Sequence, residues 1–117
     1  MGEMRGVDWT SRTRVSTLQI MGKPEKLSKE AVEAFIAAHA GWKRDGDTLT
    51  KTYTFELYGD GVAFAVQVAF AADKRDHHPD LYMGFGKVEV RWTTHDAGGI
   101  SAADVEMASR VDHLYGG

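Results

Sequence analysis

Two rhythms of apolar residues alternate along the chain from residue 27 onward. Leu27, Ala31, Val32, Phe35, Ile36 and His39 recur at helical spacing, with Ser28 placed to cap the start and Gly41 to stop the end. Asp45-Gly46-Asp47 then signals a hairpin turn. Beyond it Leu49, Tyr53, Phe55 and Leu57 share one parity, and Thr48, Thr50, Thr52, Thr54 and Glu56 the other, which predicts a half-buried strand. Tyr58-Gly59-Asp60-Gly61 reads as a break. The following run, VAFAVQVAFAADKRD, alternates like a strand, but its length, its alanines and its charged tail favour a helix over 61–75. That helix is apolar nearly all round, so one face should meet the sheet and the other a second subunit.

After Pro79, LYMGFG and KVEVRWTTH read as two strands joined around Gly84 to Gly86. In the second, Val88, Val90, Trp92 and Thr94 point one way, and Lys87, Glu89, Arg91, Thr93 and His95 the other. AGGIS is a loop. Ser101 and Asp104 have capping-box spacing before a last helix with a Val105, Ala108, Val111 and Leu114 stripe. The order α-β-β-α-β-β-α indicates an α+β fold, a four-stranded antiparallel sheet with three helices packed on one face. Residues 28–117 form this single domain. Residues 1–27 are an extension without sustained period, whose order the sequence leaves open, although VSTLQIM (Val15 to Met21) has the make-up of a short strand.

Composition narrows the function classes. A length of 117 residues suits one domain with a core of its own. A net charge of −3 argues against a nucleic-acid binder, which normally carries a basic surplus. No cysteine is present, so disulfides, thiolate metal sites and cysteine nucleophiles are excluded. No apolar run is long enough to span a membrane, and the charged N-terminus lacks the apolar stretch of a secretory signal. Gly6 stands where a myristoylation motif wants Ser or Thr. A cytoplasmic protein is expected.

The chemistry concentrates in DKRDHHPDLY, residues 73 to 82. His77 and His78 follow a helix that Pro79 prevents from continuing, and Pro79 keeps His78 out of the α region. Adjacent side chains there point in different directions, which suits two sides of a pocket better than two ligands on one ion. With His95 at a strand end, and with Asp73, Asp76 and Asp80 nearby, the three histidines form a candidate acid/base cluster. The residues alone leave other readings open. Histidines at a helix C-terminus can simply complement its dipole in solvent. A zinc site is disfavoured by the absence of i,i+4 histidines and of HExxH. His39 and His113 read as structural and exposed respectively, Asp104 as a capping carboxylate, Trp42 and Trp92 as core, and Phe85 as either core or ligand contact.

Asp73, the His77-His78-Pro79 triplet, Phe85, His95 after Thr94, and Asp104 near the last helix's start together resemble the pterin-4a-carbinolamine dehydratase family. The tail KVEVRWTTHDAGGISAADVEMAS resembles the family's last strand, loop and helix, and the likeness covers about residues 28 to 115. Asp73 stands where many members carry glutamate, and Leu81 where many carry a tryptophan beside the pterin. The resemblance implies dehydration of a 4a-hydroxytetrahydropterin, formed by aromatic amino-acid hydroxylases, to the quinonoid dihydropterin, with no metal or other cofactor. It implies catalytic roles for His77, His78 and His95, with His78 the principal acid/base, and substrate-binding or orienting roles for Asp73, Asp76, Pro79, Phe85 and Asp104. It also implies a homodimer or homotetramer built through helix 61–75 and sheet edges, with a hydroxylase or a regulator as a further partner. Family members also act as transcriptional dimerisation cofactors, a non-catalytic alternative that would use the same helix.

Overall fold

The computed structural model describes residues 24–116. The chain joins the domain at Lys26, which bridges to Ser101, and Leu27, whose N–H donates to the Ile100 carbonyl at 2.8 Å. The short strand expected at Val15 to Met21 lies outside the described residues. Helix α1 (Lys29–Ala38) starts where the sequence predicts, because the Ser28 hydroxyl accepts from the Ala31 N–H at 3.0 Å. It closes on His39, whose ring stacks on Phe35 while Nδ1–H donates to the Phe35 carbonyl. Gly41 then turns the chain with φ +93°, where a side chain would also strike Lys51.

Strands β1 (Lys43–Asp45) and β2 (Thr48–Thr54) form the first hairpin. Strands β3 (Asp80–Gly84) and β4 (Lys87–Trp92) form the second, and the antiparallel sheet runs β1-β2-β4-β3. The register pairs Leu49 with Trp92, Tyr53 with Val88 and Leu81 with Val90, so one face is apolar. Against it pack Val32 of α1, Phe64 and Val68 of α2 (Tyr58–Arg75), and Met107, Ala108 and Val111 of α3 (Ala102–Gly116). A fully buried Val68 alone is worth about 1.5–3 kcal/mol of transfer free energy. On the opposite face Thr50 donates to Glu89, which also accepts from Arg91, and Arg91 reaches Asp45. Those bonds leave Thr50 buried although it has the polar parity.

Two expectations about element ends are corrected. Strand β2 stops at Thr54, and Tyr58-Gly59-Asp60-Gly61 is the first turn of α2 instead of a break. Glycine disfavours a helix by about 1 kcal/mol, but Gly61 is buried where a Cβ would meet Phe55 and Val88 at 3.4 and 3.5 Å. Packing of the helix start on the sheet overrides propensity there. Strand β4 ends at Trp92, and His95 lies beyond it in a 3₁₀ turn (His95–Ala97), so strand parity does not set its direction.

A polar knot fastens α3 to the rest. Asp112 accepts from the Trp42 indole at 3.0 Å, Lys51 at 2.7 Å and the Tyr53 hydroxyl at 2.6 Å. Burial pushes the Asp112 carboxyl up, but these donors outweigh it and hold the group below the ordinary carboxylate range. Burial, reinforced by the Asp112 charge, drives the Tyr53 phenol far above its usual value.

Candidate active site

The end of α2 is set by its own backbone. Asp76 adopts the left-handed conformation (φ 55°), its N–H donates to the Asp73 carbonyl, and the His77 N–H donates to the Ala72 carbonyl, both at 3.2 Å. That pair of bonds is a Schellman closure. The helix therefore stops at Arg75, before Pro79 can act, and Pro79 instead leads into β3. This corrects the idea that Pro79 terminates the helix.

The closure swings His77 back onto the domain. Its ring stacks on Trp92 of β4, with centroids 5.4 Å apart and planes inclined by 21°. Its Nε2 lies 2.5 Å from Oδ1 of Asp104, a side chain with no exposure at all. Asp104 sits in the first turn of α3, where its other oxygen accepts from the Ser101 N–H at 2.8 Å. The capping box expected from spacing is thus present in its carboxylate half. The same oxygen accepts from the Thr94 hydroxyl at 2.6 Å, which leaves the Ser101 hydroxyl as donor in its 2.6 Å contact with Thr94. Thr94, Ser101 and Asp104 are all buried.

His78 is held differently. Its Nε2 is 3.0 Å from Oδ1 of Asp73, one turn back on α2, and both side chains are exposed. Such a pair in water contributes little energy, about 0–1 kcal/mol, but it leaves His78 open to solvent protons. Arg75 forks onto Glu106 at 3.2 and 3.3 Å and ties this end of α2 to α3. A groove of about 640 Å³ between these helices is lined by Ala71, Lys74, Arg75, Glu106, Met107, Arg110 and His113, but by none of the three candidate histidines.

The predicted residues fall into distinct groups. His77 and Asp104 are joined, as are His78 and Asp73. Exposed His95 follows Thr94 directly in the chain, one residue beyond the hydroxyl that binds Asp104. Asp76 contributes through its backbone, and Pro79 is half-buried beside the histidines. Phe85 is not among them: it caps the β3–β4 turn, is 79 % exposed and stacks on Tyr58 at the start of α2. An 18-residue helix puts that end roughly 27 Å from His77. Leu81 packs against the core. Among the described residues no group of three or more His, Asp or Glu side chains is gathered as a metal would require. Thr94, Ser101 and Trp92 were not singled out as site residues from sequence. The available signal was Thr94's parity with Val88, Val90 and Trp92, since a hydroxyl turned to the core needs a buried partner.

Comparisons with known proteins agree on one family. The family described as Pterin 4 alpha carbinolamine dehydratase matches residues 25–114. A protein of Halobacterium salinarum, provisionally named pterin-4-alpha-carbinolamine dehydratase, is 52% identical over 71 residues, covering 61% of this chain and 78% of its own. One from Natronomonas pharaonis with the same provisional name is 42% identical, covering 77% and 96%. Among solved structures, a transcriptional coactivator/pterin dehydratase from Brucella melitensis superposes with a TM-score of 0.75 at 26% identity, over 79% of this chain and all of that one. A pterin dehydratase-like protein identified as a RuBisCO assembly factor in the alpha-carboxysome superposes at 0.56 with 27% identity, over 67% and 93%.

Proposed function

The chain belongs to the pterin-4a-carbinolamine dehydratase family, and we propose that it dehydrates a 4a-hydroxytetrahydropterin to the quinonoid dihydropterin by histidine acid/base catalysis. The reaction breaks the C4a–O bond and forms a C4a=N5 double bond. N5 gives up its proton, and the departing oxygen takes one to leave as water. Two positioned groups that titrate near neutrality serve both transfers.

The observation that carries this reading is a pair of adjacent histidines, each held at Nε2 by its own carboxylate, one buried and one open. Oδ2 of Asp104 already accepts from Ser101 and Thr94, so the proton between Oδ1 and Nε2 belongs on the imidazole, the more basic type of group. A neutral His77 then offers Nδ1 as a base toward N5. His78, in contact with solvent, supplies the leaving hydroxyl with a proton and reloads from water. His95 acts as a further donor at the rim.

The test is a dehydration assay with a 4a-hydroxytetrahydropterin. His77→Ala and His78→Ala should each lose about 10²–10⁴-fold in kcat/KM while circular dichroism stays unchanged. A wild-type rate no better than buffer would sink the enzyme reading.

A second use has one observation in its favour. Val66 and Phe70 stand outward on α2, 48 % and 65 % exposed. In this reading the stripe binds another copy of the chain, as a homodimer or homotetramer, or a hydroxylase or regulator. Capture of such a partner that survives loss of both histidines would favour a binding role over catalysis.

A further inference from the structure

Trp92 is an expensive residue for its place. It is the largest fully buried side chain of the sheet's core face, with no exposure, and its indole Nε1 has no hydrogen-bond partner among the described residues. A desolvated donor left unpaired is a standing cost. The other β4 residues that share its parity and are apolar, Val88 and Val90, fill the same layer with no polar atom to satisfy. What the indole provides that an aliphatic residue could not is a flat face, and the ring lying on that face is His77.

We infer that Trp92 is a positioning residue for His77. Asp104 fixes the imidazole at one edge through Nε2, which still allows the ring to rock about that bond. The indole removes this freedom by supporting the ring's plane at a 21° inclination. Edge and face together hold Nδ1 in one direction. Both supports are rigid: Asp104 is locked by Ser101 and Thr94, and Trp92 by its β-ladder partner Leu49 and the core around it. Thr94, two residues beyond Trp92, carries the hydroxyl that holds Asp104, so one segment of chain sets both supports.

The kinetic part of this inference rests on the proposed dehydration; the spectroscopic part does not. The 117-residue chain would be prepared with Trp92→Phe, Trp92→Leu and Trp92→Met, the last as a second non-aromatic variant should leucine fail to fold. Circular dichroism checks folding, and long-range ¹H–¹⁵N NMR reads the position and width of the His77 ring-nitrogen signals. Steady-state dehydration gives kcat and KM separately.

Trp92→Phe keeps an aromatic face and should keep both sharp His77 ring-nitrogen signals and kcat within about 3-fold of wild type. A folded non-aromatic variant should shift and broaden the His77 ring ¹⁵N signals, because the ring rocks on its Asp104 bond while Asp104 keeps the tautomer. Its kcat should fall about 10- to 100-fold with KM little changed, the scale of misplacing a reacting group. A folded Trp92→Leu or Trp92→Met with an unchanged His77 spectrum overturns the inference. So does a Trp92→Phe that falls as far as the aliphatic variants. A wild-type protein with no dehydration would remove the proposed function but leave the His77 ring signals to decide the role of Trp92.

Discussion

Asp104 accepts from three groups, the His77 ring, the Thr94 hydroxyl and the N–H of Ser101. Truncating it would strand these donors in a place with almost no water, at about 1–3 kcal/mol for each poorly satisfied group. Asp104→Ala should therefore lower unfolding free energy by about 3 kcal/mol in urea titration, far beyond the cost of a lost cap. Asp104→Asn preserves shape but not charge, and should fold well while losing at least about 10²-fold in kcat, because the neutral amide no longer selects the Nε2–H tautomer. A fully active Asp104→Asn would remove the carboxylate from the mechanism. From sequence, spacing identified Asp104 as a cap, and only the family likeness suggested a pocket role. It does both structural jobs with different oxygens, which no spacing rule could reveal. In the proposed mechanism His77 has the buried carboxylate and His78 the exposed one, so the two histidines divide the base and acid roles.

At the level of elements, the ending of α2 governs the site. Asp76 holds the left-handed conformation that the closure requires, which aspartate tolerates and β-branched residues do not. Asp76→Val should destabilise the domain by about 1–2 kcal/mol, read from the urea midpoint. It should also depress dehydration, since the His77 backbone leaves the helix through the same turn. Asp76→Gly should match or exceed wild-type stability. If Asp76→Val were as stable as wild type, the turn would not be strained in the way described. Pro79 looked like the stop signal because prolines end helices, but the helix had already closed three residues earlier in a conformation no residue type announces.

Over the whole molecule, Asp112 joins the exit of α1, strand β2 and helix α3. Its folded-state pKa is depressed, so its contribution is complete above the unfolded carboxylate value near 3.9 and is lost as pH falls through the folded value. Unfolding free energy should decline as pH drops below about 4, and Asp112→Asn should flatten that decline when measured by denaturant titration across pH. An unchanged slope would mean other carboxylates dominate. The outward stripe of α2 belongs to this scale too. If Val66 and Phe70 bury against another copy, Phe70→Glu should lower the sedimenting mass while leaving the far-ultraviolet spectrum intact. An unchanged mass would free that face for other use.

Element types, their order and the apolar face of each strand were legible because they follow from local periodicity: the parity of Leu49 and Tyr53, and of Val88, Val90 and Trp92, survives intact in the core. The histidine pair and its acidic neighbours were also visible as a cluster, because they are close in sequence. What the linear order could not carry is contact between distant residues. Whether Gly61 starts a helix depends on its burial beside Phe55 and Val88. Whether Phe85 joins the histidines depends on which end of α2 the β3–β4 turn reaches. Above all, the face and edge of His77 come from Trp92 and Asp104, 15 and 27 residues away, and only the folded packing of β4 and α3 against the end of α2 brings them together.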